Sequence, residues 1–240
     1  MQWADEGIVL TVRRYAETAA IAELFTRDHG RALGLVHGGR SRRLRPLLQP
    51  GNHVDATWRA RLDEQLGTFT IEPRRAITAG ILDQPAALLA VETMAALLRK
   101  LAEREPHPRL FEVCLFVIEF LDDPAAWPPV YARFELALLD DLGFGLDLSE
   151  CAVTGATQEL IYVSPKSGRA VSRAAGAAYA EKLLRLPPFL AGGLVDRLTS
   201  ADISDALALS GHFLETRVYS PAGERIPEVR GRLAERLGRL

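Results

Sequence analysis

Short apolar stretches separated by breakers fill the first third of the chain. GIVLTVRR (7–14), AAIAELFT (19–26), RALGLVHGG (31–39), HVDATWRARL (53–62) and GTFTIEPRR (67–75) have the length of strands rather than helices. Alternation is clearest from His53 to Leu62. There Val54, Ala56, Trp58, Ala60 and Leu62 point one way, and Asp55, Thr57, Arg59 and Arg61 the other. Asp28-His29-Gly30 reads as a hairpin turn. Five such strands predict a small closed barrel, since closure removes exposed edges. Both an OB-fold and an SH3-like barrel fit this pattern.

Helical spacing takes over near residue 83. Leu88, Leu89, Val91, Met94, Leu97, Leu98 and Leu101 predict a helix over 86–104, and the nearly all-apolar LFEVCLFVIEFL a buried one over 110–121. Asp123-Pro124 is a cap followed by proline at the first helical position, opening a third helix. These three helices are expected to pack on one another. In the third, Phe134, Leu138, Leu139 and Leu142 form one apolar face, closed by Gly143 and Gly145. Further helices are expected over 173–186 behind Ser172, from Thr199 or Ser200 to about Arg217, and over 226–237. The division expected is a barrel domain over 1–80 and an α-helical domain over 81–240, an α+β chain of two domains.

Between the third and fourth helices lies a pattern with a chemical history. Cys151 and Thr154 stand at C-x2-C spacing with Gly155 behind them, and Ser164 and Ser167 repeat the spacing with Gly168 behind. A structural zinc site needs four thiolate or imidazole ligands. Only Cys151 of these four qualifies, so the pattern predicts a knuckle-like hairpin at about 149–172 that has lost its metal.

The run RFELALLDDLGFGLDLSECAVTG, together with the opening GIVLTVRRYAETAAIAELFTRDHGRALGLVHGGRSRR, resembles the RecO family of bacterial recombination mediators in DNA repair. Many relatives carry both C-x2-C pairs and bind zinc; others have lost them. The resemblance implies an N-terminal OB-fold and no catalytic centre. It implies binding to single- and double-stranded DNA, annealing of complementary strands, and loading of RecA together with RecR on DNA coated by the single-stranded DNA-binding protein. It also implies that the helical domain docks the acidic, Phe-ended tail of that protein. Arg133, beside Phe134, stands near the family's position for the cation that meets the tail's carboxylate.

Composition narrows the chemistry. Net charge is only -2, but residues 1–80 hold 12 Arg against 9 acids, residues 81–150 hold 5 basic residues against 13 acids, and residues 151–240 hold 12 against 9. An acidic middle between basic ends excludes a generic polyanion sponge and leaves room for a local basic surface. GGRSRRLRP supplies one. Arg40, Arg42, Arg43 and Arg45 crowd a loop that is expected to be mobile and to follow a phosphate backbone. Arg13, Arg14, Arg59 and Arg61 on neighbouring strands extend the candidate DNA-binding set, with Arg74 and Arg75 behind them. His37 and Tyr15 are the candidate stacking platforms, while Trp58 and Phe69 fall on core positions.

Other chemistry finds no motif. There is no G-x4-G-K-[ST], and the only lysines are Lys100, Lys166 and Lys182. His29, His37, His53, His107 and His212 are scattered, and no nucleophile elbow occurs. Asp122/Asp123 and Asp140/Asp141 are adjacent pairs, which point ~100° apart on a helix and make poor joint ligands. Cys114 and Cys151 give no disulfide framework, the N-terminus has no basic signal-peptide region, and no run is long enough for a membrane span. These features point to a cytoplasmic protein with no cofactor, and the resemblance implies association with the bacterial nucleoid. The competing reading is an adaptor whose barrel binds a protein partner rather than DNA.

Overall fold

The structure, a computed structural model, describes residues 1–62, 65–192 and 198–239. The chain divides into two compact units, Met1–Asp122 and Asp123–Leu240.

In the first unit, β1 (Gln2–Tyr15), β2 (Ala19–Thr26), β3 (Gly30–Val36), β4 (His53–Arg59) and β5 (Gly67–Arg75) close a barrel in the order β1-β2-β3-β5-β4. This OB-like order decides between the two barrels that periodicity left open. One long strand makes closure possible. β1 pairs with β4 through Gln2–Ile8 and with β2 through Gly7–Tyr15, and its register shifts between Val9 and Thr11. A bulge bends the strand there. The Val9 amide donates to Asn52 O and its carbonyl accepts from Gly51 N, so the loop entering β4 satisfies the groups the bulge releases.

The barrel is filled by Val9, Ala22, Leu24, Val36, Leu48, Val54, Ala56, Trp58, Phe69 and Ile71. The expected alternation in β4 holds from His53 to Arg59. Ala60 beyond the strand still packs on the core, but the chain then turns away and Leu62 is exposed. Arg61 therefore lies off the strand and does not share a sheet face with Arg59.

The last seam of the barrel depends on two glycines. Gly34 and Gly67 are partners in the parallel β3–β5 pairing. A Cβ on Gly67 would lie 2.1 Å from Trp58 Cε2, and one on Gly34 would lie 2.4 Å from Phe69 Cδ2. Both strands approach because neither residue has a side chain. Gly67→Ala is expected to lower stability by about 1–3 kcal/mol through overpacking, read as a lower urea midpoint at unchanged slope. Wild-type stability would show that the Trp58 ring can move aside.

β2 is buried on both faces. Ile8, Leu10 and Phe25 are buried too, although the barrel interior is built from other residues. Their cover is α1 (Pro85–Leu98) and α2 (Pro108–Phe120). Phe111 packs against Phe25 at 5.7 Å and against His53 at 6.2 Å, and Val91 fills the space over Gly51. The buried Glu23 carboxylate on β2 pairs with Arg31 on β3, and Arg31 Nε also donates to Leu101 O just after α1. The barrel ends close to the 80/81 division read from sequence, yet the compact unit containing it runs on through both helices. Phe116, expected to be buried within α2, is 49% exposed.

The second unit contains α3 (Trp127–Asp141), a sheet ordered β7-β6-β8 from β6 (Leu160–Val163), β7 (Ala170–Ser172) and β8 (Leu184–Arg185), the single-turn α4 (Arg173–Gly176), α5 (Ser200–Phe213) and α6 (Glu228–Leu237). The first three helices fall in different compact units. α1 and α2 belong to the barrel's unit, whereas α3 is tied to α5 and α6 by a buried polar cluster. Glu135 on α3 accepts from Arg230 Nε at 3.1 Å and Nη2 at 2.9 Å, and from the Ser210 hydroxyl.

Several helix ends differ from expectation. Asp123 accepts from Ala125 N and Ala126 N, but this caps a turn, and α3 starts at Trp127 with prolines in its first turn. At its other end, Gly143 N donates to Asp140 O and Phe144 N to Leu139 O, a Schellman closure. Ser172 does cap α4, yet the helix expected to reach Leu186 stops at Gly176. A 3-10 stretch, Ala177–Lys182, follows, and then Leu184–Arg185 pair as β8 with β6, Tyr162 opposite Arg185, so sheet pairing ends the helical run before Leu186. Thr199 makes a capping box with Asp202, and α5 passes at Leu214 into a π-helical turn ending at Tyr219.

Candidate nucleic-acid interface

Backbone hydrogen bonds fold the loop between β3 and β4 on itself. Ser41 N donates to Gly38 O, Arg45 N to Ser41 O, and Leu47 N and Leu48 N to Leu44 O. Leu48 is buried in the barrel core. Asn52, 2% exposed, ties the loop to the segment after β5. Its amide donates to Pro46 O and Leu47 O, and its side-chain oxygen accepts from Ile77 N and Thr78 N. Sequence reading missed Asn52, and its only local signal is the Gly51-Asn52 breaker. A folded loop presents its guanidiniums with less ordering entropy still to lose on binding.

This loop and the β1–β2 hairpin share one end of the barrel. Arg40 N donates to Thr18 O, and its guanidinium donates to the Ala16 and Glu17 carbonyls. Arg14, Arg40 and Arg45 line one groove with Val12, Gln49 and Leu48. Arg13, Arg42, Arg43, His37 and Tyr15 are exposed at the same end. Trp58 and Phe69 are core residues, as their alternation indicated.

Charge pairing separates these arginines from five others of the unit. Arg27 pairs with Glu6, Arg31 with Glu23, Arg74 with Glu6 and Asp55, Arg75 with Glu119, and Arg99 with Glu23. Arg13, Arg14, Arg40, Arg42, Arg43 and Arg45 have no carboxylate partner among the described residues, and no acid occurs in sequence between Asp28 and Asp55. Uncompensated guanidiniums crowded at one place repel each other unless an anion is present. Arg74 and Arg75 drop out of the candidate surface because their charges are already used. Arg59 and Arg61 are exposed but do not extend the groove: Arg59 stands opposite Gln2, at the other end of β1 from Arg13 and Arg14.

The chain belongs to the RecO family. Residues 1–76 match the family model "Recombination protein O N terminal", and residues 82–225 match "Recombination protein O C terminal". A DNA repair protein RecO from Beijerinckia indica subsp. indica is 55% identical over 231 residues, covering 96% of this chain and 92% of that protein. The Brucella abortus (strain 2308) protein of the same name is 50% identical over 239 residues, covering 100% and 97%. That of Methylobacterium nodulans is 53% identical over 234 residues, covering 96% and 95%. The arginine groove thus lies on the OB-like barrel of a bacterial DNA repair family. No helix among the described residues is long and apolar enough to cross a membrane.

The hairpin expected at about 149–172 has the backbone turns of a knuckle. Gly155 N donates to Cys151 O at 2.9 Å and Gly168 N to Ser164 O at 2.9 Å, and both glycines are left-handed, with φ of 70° and 75°. Each of the four knuckle positions accepts a backbone N–H: Cys151 Sγ from Ser172, Thr154 Oγ1 from Ala156, Ser164 Oγ from Ser167, and Ser167 Oγ from Arg169. One sulfur and three hydroxyls do not fit zinc.

Burial pushes the Cys151 thiol up. Hydrogen bonds from the Ser172 and Thr154 side chains and from the Ser172 and Val153 amides outweigh that, bringing it down to about 6 from an ordinary 9.0. A thiolate favoured by folding contributes stability that is complete above the free-thiol value and is lost as pH falls through about 6. In a Cys114→Ala background, ultraviolet thiolate absorbance should rise with a midpoint near pH 6. The stability gap between this protein and its Cys151→Ser variant should close as pH is lowered. A midpoint near 9 would show that the amide bonds do not stabilise the anion.

On α3 the structure separates the two residues assigned to partner binding. Phe134 is fully buried, so it is a core residue and not a contact. Arg133 is exposed; its Nη2 donates to Phe189 O at 2.7 Å, and its guanidinium lies 5.8 Å from the Phe189 ring centre.

Proposed function

We propose that this chain binds single- and double-stranded DNA through the arginine groove, anneals complementary strands, and acts with RecR to load RecA on DNA covered by the single-stranded DNA-binding protein. The observation that carries the reading is the set of six exposed arginines at one end of the barrel with no carboxylate partner among the described residues. Two phosphate backbones repel each other as they approach. Guanidiniums that neutralise phosphates on both strands reduce that repulsion, and base pairing supplies the rest. No bond is made or broken in this scheme, so the protein acts as a mediator and not as an enzyme, at the bacterial nucleoid.

The second unit supplies the contact with the single-stranded DNA-binding protein. Arg133 is the cation for the terminal carboxylate of its tail. One helical turn away, Pro129 lines an apolar cleft with Pro128, Ile203 and Leu237, suited to an aromatic side chain.

Fluorescence anisotropy with a labelled oligonucleotide tests the core of this reading. Binding should weaken steeply as salt rises from low to moderate concentration, because each phosphate contact releases counterions. Salt-independent binding, or none in dilute buffer, would remove the arginine groove as its basis and favour the adaptor.

A further inference from the structure

An open cleft of about 510 Å³ lies at the other end of β1 from the arginine groove, lined by residues that include Trp3, Asp28, His29, Trp58 and Arg104. Its wall is a run of parallel rings. Trp3 stacks on His29 at 4.2 Å and 10°, and on Trp58 at 5.6 Å and 12°, with Phe69 edge-on at 5.9 Å. Trp58 belongs to the core, and its indole N–H donates to Leu33 O. Trp3 and His29 are only partly buried, which leaves the outer part of the stack open. Asp5 Oδ2 takes Nδ1 of His29 at 2.9 Å and holds its ring parallel to Trp3.

Arg104 comes from the segment between α1 and α2. Its guanidinium lies 5.8 Å from the Trp58 ring centre, and the residue has φ of 63°, held by a 2.9 Å bond from its amide to Arg31 O. A non-glycine residue in the left-handed region is uncommon and tends to occur where a side chain must be aimed. The cleft is within the range of small-ligand sites. Its chemistry is flat, aromatic and cationic, with the Asp28 carboxylate at the rim to accept from an exocyclic amine. Arg59, exposed and opposite Gln2, adds a cation without a carboxylate partner among the described residues.

We propose that this cleft holds an unpaired nucleobase of single-stranded DNA, stacked on the His29–Trp3–Trp58 wall, with Arg104 and Arg59 taking the adjoining phosphates. This rests on the DNA-binding reading above and adds a division of labour to it. The groove at one end takes phosphates of either DNA form. The cleft takes bases and so admits only a strand whose bases are free.

The protein has three tryptophans, Trp3, Trp58 and the buried Trp127 of the second unit. In the full-length Trp127→Phe variant, emission reports on the cleft alone. Oligodeoxyadenylate should quench it, and a duplex of equal length should not. His29→Ala and Arg104→Ala alter exposed or half-exposed residues, so they test the cleft without unpacking the barrel. Each should weaken single-strand binding roughly tenfold, the loss expected for part of one base–aromatic stack, with duplex affinity and melting temperature unchanged. If wild-type protein binds the oligonucleotide while emission and both variants' affinities stay unchanged, the cleft proposal falls and the groove remains. Equal weakening for single strand and duplex would reduce the cleft to an electrostatic contribution and also overturn it. If wild-type protein binds neither form in dilute buffer, both proposals fall together.

Discussion

Replacing Arg40, Arg42, Arg43 and Arg45 together by Ala is expected to lower affinity for single-stranded DNA by about two to three orders of magnitude at ~0.1 M salt. It should flatten the plot of log K against log salt by roughly 3, since each phosphate contact contributes about 0.7 to that slope. The two numbers are linked, and their agreement is the test. A large loss of affinity with an unchanged slope would mean that the variant had lost something other than phosphate contacts. An unchanged affinity would mean that the loop does not touch DNA. Misfolding is a weak alternative, because all four side chains are exposed and none pairs with a carboxylate among the described residues. Exposed substitutions of this kind usually shift stability by no more than ~0.5 kcal/mol. Arg40 is the exception within the set. Its guanidinium holds the Ala16 and Glu17 carbonyls, so Arg42→Ala/Arg43→Ala/Arg45→Ala is the cleaner comparison and should flatten the slope by roughly 2. Annealing rates should fall with affinity.

The largest stability effect is expected at Arg230. Its guanidinium is buried, bonded twice to the fully buried Glu135 and also to Leu207 O. Burial works against the cation, and Glu135 outweighs it, so the guanidinium is held even more firmly charged than usual. Arg230→Ala leaves the Glu135 carboxylate in the core without its cation, still bonded to the Ser210 hydroxyl. Removing one partner of a buried pair costs about 3–5 kcal/mol, which should lower the melting temperature by well over ~10 °C for a unit of this size. Glu135→Ala should cost a similar amount for the mirror-image reason. The double change Glu135→Leu/Arg230→Met removes both charges and should recover most of the loss. A single Arg230→Ala that costs under ~1 kcal/mol would show that water reaches the site and that the three helices are joined by apolar packing alone.

These two experiments bear on residues of very different legibility. The arginine loop was plain in the chain, because four like charges within six positions need no partner to be noticed. Cys151, Thr154, Ser164 and Ser167 were legible for the same reason, as a spacing with glycines behind it. β5 was bounded to the residue, Gly67–Arg75, by the breakers around it. Arg59 and Arg61 were placed beside Arg13 and Arg14 because polar strand residues look alike in sequence. Only the register of β1, which pairs with two different strands along its length, puts them at opposite ends. Phe134 counts as a contact in sequence because it neighbours Arg133, which the family resemblance marks as a cation for the tail. Helical spacing tells which residues share a face but not what covers that face, and here the core covers it. Trp3, His29 and Arg104 form one cleft from three remote segments, and no local pattern could join them.

What the amino-acid order determined by itself was local. It set strand length and alternation, the turn glycines, the density of arginine in one loop, and the exchange of thiols for hydroxyls in the hairpin. Each depends on residues within a few positions of one another, where covalent geometry and side-chain type decide the outcome. The tertiary structure decided that α1 and α2 cover the outside of the barrel, that α4 gives way to β8, and that some arginines are matched by carboxylates while six at one end are not. Burial and charge pairing are properties of neighbours in space, and those neighbours arrive from segments that only the fold brings together.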